Sequence, residues 1–399
     1  MSTDVESALA ESGLDSVPLL DHHCHGVTTD DLDRESFETY ISESDWPAPD
    51  GATHFDSQVG MAIRRYCAPV LGLPSFATPE EYLERRRELG GVEASERLLR
   101  ATGISDLVIE VGHRSDEILD PGGMAAAAAA RAFEVVRLEQ LAEQLLEELV
   151  RRGGGSDSFR DEFARTLDER LRRAIGVKSI AAYRIGLDFA PERPGDDDVD
   201  EAVRAWADRI ARGGPSRLED ATIIRHLLWA AVDRACAIQF HIGYGDSDVD
   251  LHRCDPLLLT EFLRLSRASG ARVLLLHCYP FHREAGYLAQ VFPHVYFDVG
   301  LAINYTGSRS DAVIAETLEL APFHKILFST DAFGVAELYY LGAILFRRGL
   351  ARALDAFARQ DDWPAPEMRR IVESIAFRNA RRVYRLGDEL FEPELGGGA

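Results

Sequence analysis

Short apolar runs alternate with amphipathic helical segments along most of this 399-residue chain. Strands that alternate with helices form parallel sheets, because parallel neighbours need long crossover connections. Eight such units close into a (β/α)8 TIM barrel, which is the predicted α/β fold. A doubly wound sheet is the alternative, and no Gly-x-Gly-x-x-Gly follows the first run to favour it. The eight runs are 17–21, 107–111, 135–139, 177–183, 237–242, 272–277, 295–299 and 326–329.

The interval between the first two runs, 31–105, is too long for an ordinary barrel loop. It contains helix-like stretches at 32–42, 57–69 and 79–101. We interpret it as a helical insertion above the C-terminal mouth of the barrel, where it acts as a lid or a substrate wall. Peripheral helices that only enlarge the core are the alternative. The remaining loops are short, so we expect a single domain over residues 1–399.

The charge balance excludes some classes of partner. Lys and Arg total 44 against 67 Asp and Glu, a formal net charge of −23, whereas nucleic-acid binding needs a basic surface. No apolar run approaches the roughly 20 residues that span a bilayer. Five scattered cysteines favour a reducing, cytoplasmic location over a disulfide framework. We therefore expect a small-molecule substrate, no nucleic-acid or membrane partner, and self-association as a homo-oligomer.

The strongest local signal is the segment LLDHHCH at residues 19–25, in which an apolar strand ends in Asp-x-His-x-His. Positions two apart on a strand point to the same side, so His23 and His25 face one centre together. Neutral imidazole is the commonest ligand for zinc and similar cations. The segment therefore predicts a metal site, and His22 has the opposite parity and is expected to pack outward.

Three more ionisable residues stand at the ends of later runs, namely His241, His277 and Asp331. A single histidine after an apolar run is more often a hydrogen-bonded core residue than a ligand. In a barrel, however, the C-terminal ends of all strands meet at one mouth. We therefore expect these three side chains to converge with His23 and His25. Asp298 and Asn304, near the end of the seventh run, are weaker candidates for polar substrate contacts.

Taken together, these residues resemble the amidohydrolase superfamily and its amidohydrolase-related, family 2, branch. The pattern is Asp-x-His-x-His after strand 1, His after strands 5 and 6, and Asp after strand 8. The segments HIGYGDSD, LLLHCYPFHREAGYLAQVFPHVYFDVG and ILFSTDAF look like a subgroup of that branch. The subgroup also occurs as the amidohydrolase-like half of proteins fused to a glutamine-synthetase-like half.

The resemblance implies a role for each of these residues. His23, His25 and His241 would bind a divalent metal, with Asp331 as a further ligand that also accepts a proton from the attacking water. His277 would polarise the substrate carbonyl. Zinc is the first expectation, and manganese and iron suit the same ligand types.

Lys178 and Lys325 are the only lysines in the chain. In binuclear members of the superfamily, a lysine at the end of strand 4 is carboxylated and bridges two metals. Here the fourth run continues beyond Lys178 to residue 183, which predicts a mid-strand lysine paired with a carboxylate such as Glu139. One ion is therefore favoured over two, and the second-metal bridge through Lys178 is the alternative. Lys325 starts the eighth run and is expected to be a solvated charge.

The same strand parity places Arg184 nearest the mouth, where its guanidinium would clamp a substrate carboxylate. A salt bridge at the barrel rim is the alternative for Arg184. Glu110 and Glu139 end the second and third runs, and both are expected to reach the mouth, Glu139 as a further substrate contact.

These expectations add up to a metal-dependent hydrolase that activates water to cleave a C–N bond, in an amide or cyclic amide, of a small carboxylated molecule. A decarboxylase, hydratase or uronate-type isomerase on the same barrel is the alternative, because fold and metal ligands are shared. A non-catalytic barrel scaffold is the second alternative.

Overall fold

The computed structural model describes residues 14–153 and 156–387 and contains a seven-stranded parallel sheet. Each strand is hydrogen-bonded to the next one along the chain, so the order is β1 to β7 without a crossover in the sheet. Strand interiors are buried on both faces, as in parallel sheets covered by helices. The strands are β1 Leu19–Cys24, β2 Ile104–Glu110, β3 Arg131–Arg137, β4 Gly176–Ser179, β5 Ala237–His241, β6 Arg272–Leu276 and β7 Val295–Phe297.

The predicted eighth strand is a segment with only isolated pairing. Ile326 forms a parallel bridge with Phe297 at the end of β7, and the Leu327 amide donates to the Phe297 carbonyl over 3.0 Å. On the opposite side, the amide of His22 in β1 donates to the carbonyl of Phe328 over 3.1 Å. The segment thus contacts both edges of a curled sheet, and the architecture is that of a TIM-like α/β barrel.

Helices follow the strands and cover the sheet. They are α1 Arg34–Tyr40, α2 Gln58–Ala62, α3 Ala68–Val70, α4 Pro79–Leu89, α5 Gly91–Arg100, α6 Pro121–Ala128, α7 Leu138–Arg151, α8 Phe159–Arg170, α9 Ala181–Arg184, α10 Asp196–Ala211, α11 Ala221–Asp233, α12 Thr260–Ser266, α13 His282–Val291, α14 Gly300–Thr306, α15 Ser310–Thr317, α16 Ala336–Asp361, α17 Ala365–Glu373 and α18 Asn379–Tyr384. A π-helical turn, Ile63–Cys67, joins α2 to α3, and a second one, Ser374–Arg378, joins α17 to α18. In the described part of the chain, no helix is long and apolar enough to cross a membrane.

Helices α1 to α5 occupy the interval between β1 and β2. Local caps fix their starts: Asp33 accepts the Ser36 amide, and Thr78 and Glu81 form a capping box at α4. Tyr82 and Arg86 of α4 are buried and both bond to Glu337 of α16. These helices are therefore anchored to the barrel by polar contacts as well as by the apolar core.

Two strand ends differ from the sequence prediction. The fourth strand stops at Ser179, not at residue 183, because the Glu139 carboxylate accepts the Ser179 hydroxyl and the Ile180 amide. The chain then turns into the short helix α9. The third strand ends at Arg137, which leaves Glu139 in the first turn of α7. The mid-strand position predicted for Lys178 is consequently wrong, and this lysine is the last residue but one of β4.

Candidate metal centre

The predicted site residues lie close together at the C-terminal ends of the strands, beside one cavity. His23 lies near the end of β1, His241 ends β5, and His277 follows β6 directly. His25 and Asp331 follow β1 and the closing segment. The cavity has a volume of about 340 Å³ and is lined by His25, His241, His277 and Asp331 among others. The residues that the sequence predicted to converge therefore lie close together in the structure.

Three of these residues form a compact set of ligand atoms. His23 Nε2 lies 3.1 Å and His25 Nε2 3.7 Å from Oδ1 of Asp331. One ligand atom from each residue lies within 4.8 Å of the other two, and all three side chains are buried. Two imidazoles and a carboxylate are a donor set suited to zinc, manganese or iron. The residues present therefore fit a divalent metal.

His241 stands beside this trio without belonging to it. Its ring centroid lies 4.8 Å from that of His277, and its buried Nε2 has no hydrogen-bond partner in the part of the chain that the structure describes. Burial lowers the pKa of His241 well below the usual value, and the neighbouring His277 and Lys178 lower it further. A neutral imidazole with a free buried nitrogen is available as a further ligand.

Asp331 is held as a carboxylate by its neighbours. Burial raises the pKa of Asp331, but the charge of His277 and the hydrogen bonds from the surrounding histidines outweigh this and hold the pKa well below its usual range. Oδ2 lies 3.0 Å from Nδ1 of His277, while Oδ1 faces His23. One oxygen thus faces the proposed metal and the other faces the histidine expected to contact substrate.

The backbone at these strand ends adopts left-handed conformations. His277 has a φ of 65°, Cys278 of 51° and Asp331 of 49°. Non-glycine residues at positive φ are uncommon and store strain that the surrounding structure must hold. Such strain concentrates at functional sites, and here it aims two of the predicted site residues into the cavity.

Two buried carboxylates hold these strained segments in place. Asp21 accepts the Thr330 amide over 3.0 Å and the Thr330 hydroxyl over 2.5 Å, and burial raises the pKa of Asp21 to about 8. Asp298 accepts the His277 amide over 3.1 Å and lies 2.9 Å from His22 Nε2. Asp298 is fully buried and is not among the residues that line the cavity. Its hydrogen bond to the His277 amide therefore positions His277, and a substrate contact is not expected.

Lys178 lies directly against the trio. Its Nζ is 3.2 Å from Nε2 of His23, and burial lowers the pKa of Lys178 to about 8. The predicted pairing with Glu139 does not occur, because that carboxylate is taken by Ser179 and Ile180. The end of β4 is also the position that a bridging lysine requires, so the geometry gives the second-metal alternative more support than the sequence did.

The sequence profile of one protein family, described as amidohydrolase, matches residues 81–386. The chain belongs to the amidohydrolase family. The matched range begins after β1, so the paired histidines of this amidohydrolase lie outside it and are identified by their geometry. The protein fluG of Emericella nidulans is 26% identical over 409 residues. That alignment covers 93% of this chain but 46% of fluG, so this amidohydrolase spans about half the length of that relative.

Two solved structures share the fold of this amidohydrolase. One, from Lactobacillus casei ATCC 334 and named a candidate metal-dependent hydrolase, is 28% identical with a TM-score of 0.78. It covers 93% of this chain and 96% of its own. The other is a uronate isomerase from Bacillus halodurans C-125, 16% identical with a TM-score of 0.64 and 97% coverage of both chains. At that identity the second likeness concerns the fold alone.

The two predicted substrate contacts of this amidohydrolase have other partners. Arg184 lines the cavity, but its Nη1 donates to Glu143 over 2.8 Å and to the Leu218 carbonyl over 3.1 Å. The rim salt bridge that was the alternative is therefore present, and the carboxylate clamp stays a prediction. Glu139 is buried beneath the end of β4 and does not border the cavity, so it positions that strand in place of the predicted substrate contact.

Several cavity residues were not predicted from the sequence. Arg137 ends β3 and pairs with Glu110, whose Oε2 lies 3.5 Å from Nδ1 of His25. Burial raises the pKa of Glu110, but Arg137, His25 and Lys178 lower it to about 2. Arg137 was not predicted because the third run could also be interpreted as part of a helix, so its strand end was not defined. The others come from loops and short helices, where no strand parity is available; they include Glu43, Tyr183, Arg217 and Phe333.

Proposed function

We propose that this amidohydrolase is a metal-dependent hydrolase that cleaves a C–N bond, in an amide or cyclic amide, of a small carboxylated substrate. The observation that carries the proposal is the trio His23, His25 and Asp331, with ligand atoms within 4.8 Å of one another beside a cavity. The two imidazoles also keep buried Nδ1 atoms without a hydrogen-bond partner among the described residues, which an ordinary packed core avoids.

In this proposal His23, His25 and Asp331 hold the ion, and His241 completes its surroundings. A bound divalent ion would supply Lewis acidity and make water a nucleophile near neutral pH. Asp331 accepts the proton of the attacking water, because its carboxylate is kept ionised. His277 donates to the carbonyl oxygen as negative charge develops there. Asp331 and His277 are 3.0 Å apart, so proton and charge are handled by adjacent groups.

The cavity walls support a substrate with a carboxylate. Arg137, Lys178, Arg184 and Arg217 all line it. Glu43, from the interval 31–105, lines it as well, and we propose that this insertion forms a wall of the substrate cavity instead of only enlarging the core. Zinc is the ion that we expect first.

The first test is metal content of protein purified without added metal. We expect about one equivalent per chain, or restoration of activity by Zn²⁺ or Mn²⁺. Less than about 0.2 equivalents without any rescue would favour a non-catalytic barrel.

The second test is a substrate panel of N-acyl amino acids, γ-glutamyl amides, unsaturated carboxylic acids and uronates. Release of an amine or ammonia supports the hydrolase, while turnover of only the last two groups would replace it with a decarboxylase, hydratase or isomerase. Asp331→Asn should retain metal and lose at least about 100-fold in kcat, because the proton acceptor is gone. Full activity in this variant would contradict the role assigned to Asp331.

A further inference from the structure

The outer wall of the cavity carries acids of its own, apart from the metal trio. Glu43 lies in the loop after α1, is half-buried and lines the cavity together with Asp246 from the loop after β5. The two loops are joined where Asp45 accepts hydrogen bonds from the amide and hydroxyl of Ser247. The insertion and the barrel therefore build this wall jointly, and it faces the cavity with negative charge.

Glu43 is surrounded by like charge. Burial and the charges of Asp331, Asp246 and Asp45 together raise the pKa of Glu43 to about 7, against a hydrogen bond from Tyr305 that lowers it. Carboxylates that repel one another at a cavity wall are stabilised by any cation that enters. The wall thus favours a positive group over a neutral one of the same size.

Three tyrosines lie near the same carboxylate, and of these Tyr183 lines the cavity. Tyr244 and Tyr305 meet edge to face with centroids 6.3 Å apart, and Tyr183 packs against His241 at 4.4 Å. The Tyr244 hydroxyl is buried and has no hydrogen-bond partner among the described residues. After burial, the charge of Glu43 is the largest influence that raises the pKa of Tyr244. Aromatic faces beside a carboxylate are the surroundings that proteins use to bind ammonium groups.

The three arginines of the cavity, in contrast, are paired within the protein. Arg137 pairs with Glu110, and Arg184 pairs with Glu143. Arg217 pairs with Glu219 and Asp248 at the rim. The half-buried Glu43 instead has acids as its charged neighbours, which favours a positive group of the substrate beside it.

We propose that Glu43, backed by Asp246 and flanked by Tyr183 at the cavity wall, binds a protonated amino group of the substrate. The substrate class is then a zwitterion, an amide that keeps a free ammonium group as well as a carboxylate. This proposal rests on the proposed function for the amide, while the ammonium subsite itself stands independently of the reaction.

The subsite is tested by binding, with probes that contain no hydrolysable bond. Calorimetric titration of the zinc-loaded protein compares ω-amino acids of three to six carbons with fatty acids in which a methyl group replaces the ammonium. We expect one or more of the amino acids to bind at least about tenfold more tightly than its matched fatty acid. Glu43→Gln keeps the length of the side chain and an acceptor for Tyr305, and should abolish that preference.

Asp50→Asn is the matched control, because Asp50 is an exposed acid of the same loop that does not line the cavity. It should keep the preference, and Glu43→Asp should restore part of it by keeping the charge. Equal binding of paired probes to the wild type, no binding of any ω-amino acid, or a preference that survives Glu43→Gln would each overturn the subsite. Since no probe has an amide, these results are separate from the turnover panel that judges the hydrolase.

Discussion

Arg86 and Glu337 form a buried ion pair that joins the insertion to the barrel. Arg86 of α4 is 3% exposed and Glu337 of α16 is fully buried, and Nε donates to Oε1 over 3.0 Å. The Tyr82 hydroxyl donates to the same oxygen over 2.9 Å. Replacing Arg86 with Met leaves a buried carboxylate with one neutral donor. Breaking a buried pair in this way costs about 3–5 kcal/mol of unfolding free energy.

Urea unfolding measures the loss. With a denaturant slope of about 3 kcal/mol per molar or more, Arg86→Met should lower the midpoint by about 1 M. Arg87→Met is the control on the same helix, because Arg87 is exposed and its pair with Glu84 is worth about 0.5 kcal/mol or less. The double variant Arg86→Met/Glu337→Met should recover most of the loss, since no buried charge remains. Equal midpoints for Arg86→Met and Arg87→Met would refute the anchoring argument.

Three further predictions concern the site. Glu110→Gln should weaken zinc affinity about 10- to 100-fold in chelator competition, because Glu110 orients His25, and unchanged affinity would contradict this. Metal analysis of Lys178→Ala should still give one equivalent, whereas two equivalents in the wild type that fall in this variant would establish a bridge. The pKa of Glu43 is raised above its unfolded value to about 7, so its contribution to stability is full below about pH 4.5 and lost as pH rises through 7. Glu43→Gln should flatten the stability profile in that window, and an unchanged slope would assign it to other groups.

The convergence of these side chains could be predicted from the sequence because strand ends in a barrel are geometrically equivalent. His23, His241, His277 and Asp331 are spread over most of the chain, yet each follows or ends a short apolar run. Parallel pairing alone brings such positions to one mouth, without any knowledge of side-chain packing. Residues placed by that rule were therefore predictable.

Residues placed by tertiary hydrogen bonds were not. The end of β4 is set by Glu139, 40 positions before Ser179 in sequence, and nothing local marks it. Lys325 was expected to be solvated, but it is 5% exposed, donates to the Pro293 carbonyl and lies 4.4 Å from the Tyr296 ring centroid. The end of β4 and the burial of Lys325 both depend on tertiary contacts, which form only in the folded chain. Glu43 was missed for the same reason, since an insertion has no register against the barrel.

The two lysines of this arginine-rich chain are consequently both buried, and they differ in what they face. Lys325 is satisfied by carbonyls and an aromatic ring at the start of the closing segment. Lys178 instead directs its amine at Nε2 of His23, the same nitrogen that the proposed ion needs. An ammonium and a divalent cation cannot share one lone pair, and their charges repel at that distance. Metal binding therefore requires Lys178 to move away, to become neutral, or to acquire the negative charge of a carbamate. Of these states, the carbamate offers two oxygens that can bridge two ions, which is why the metal count of Lys178→Ala decides between one ion and two.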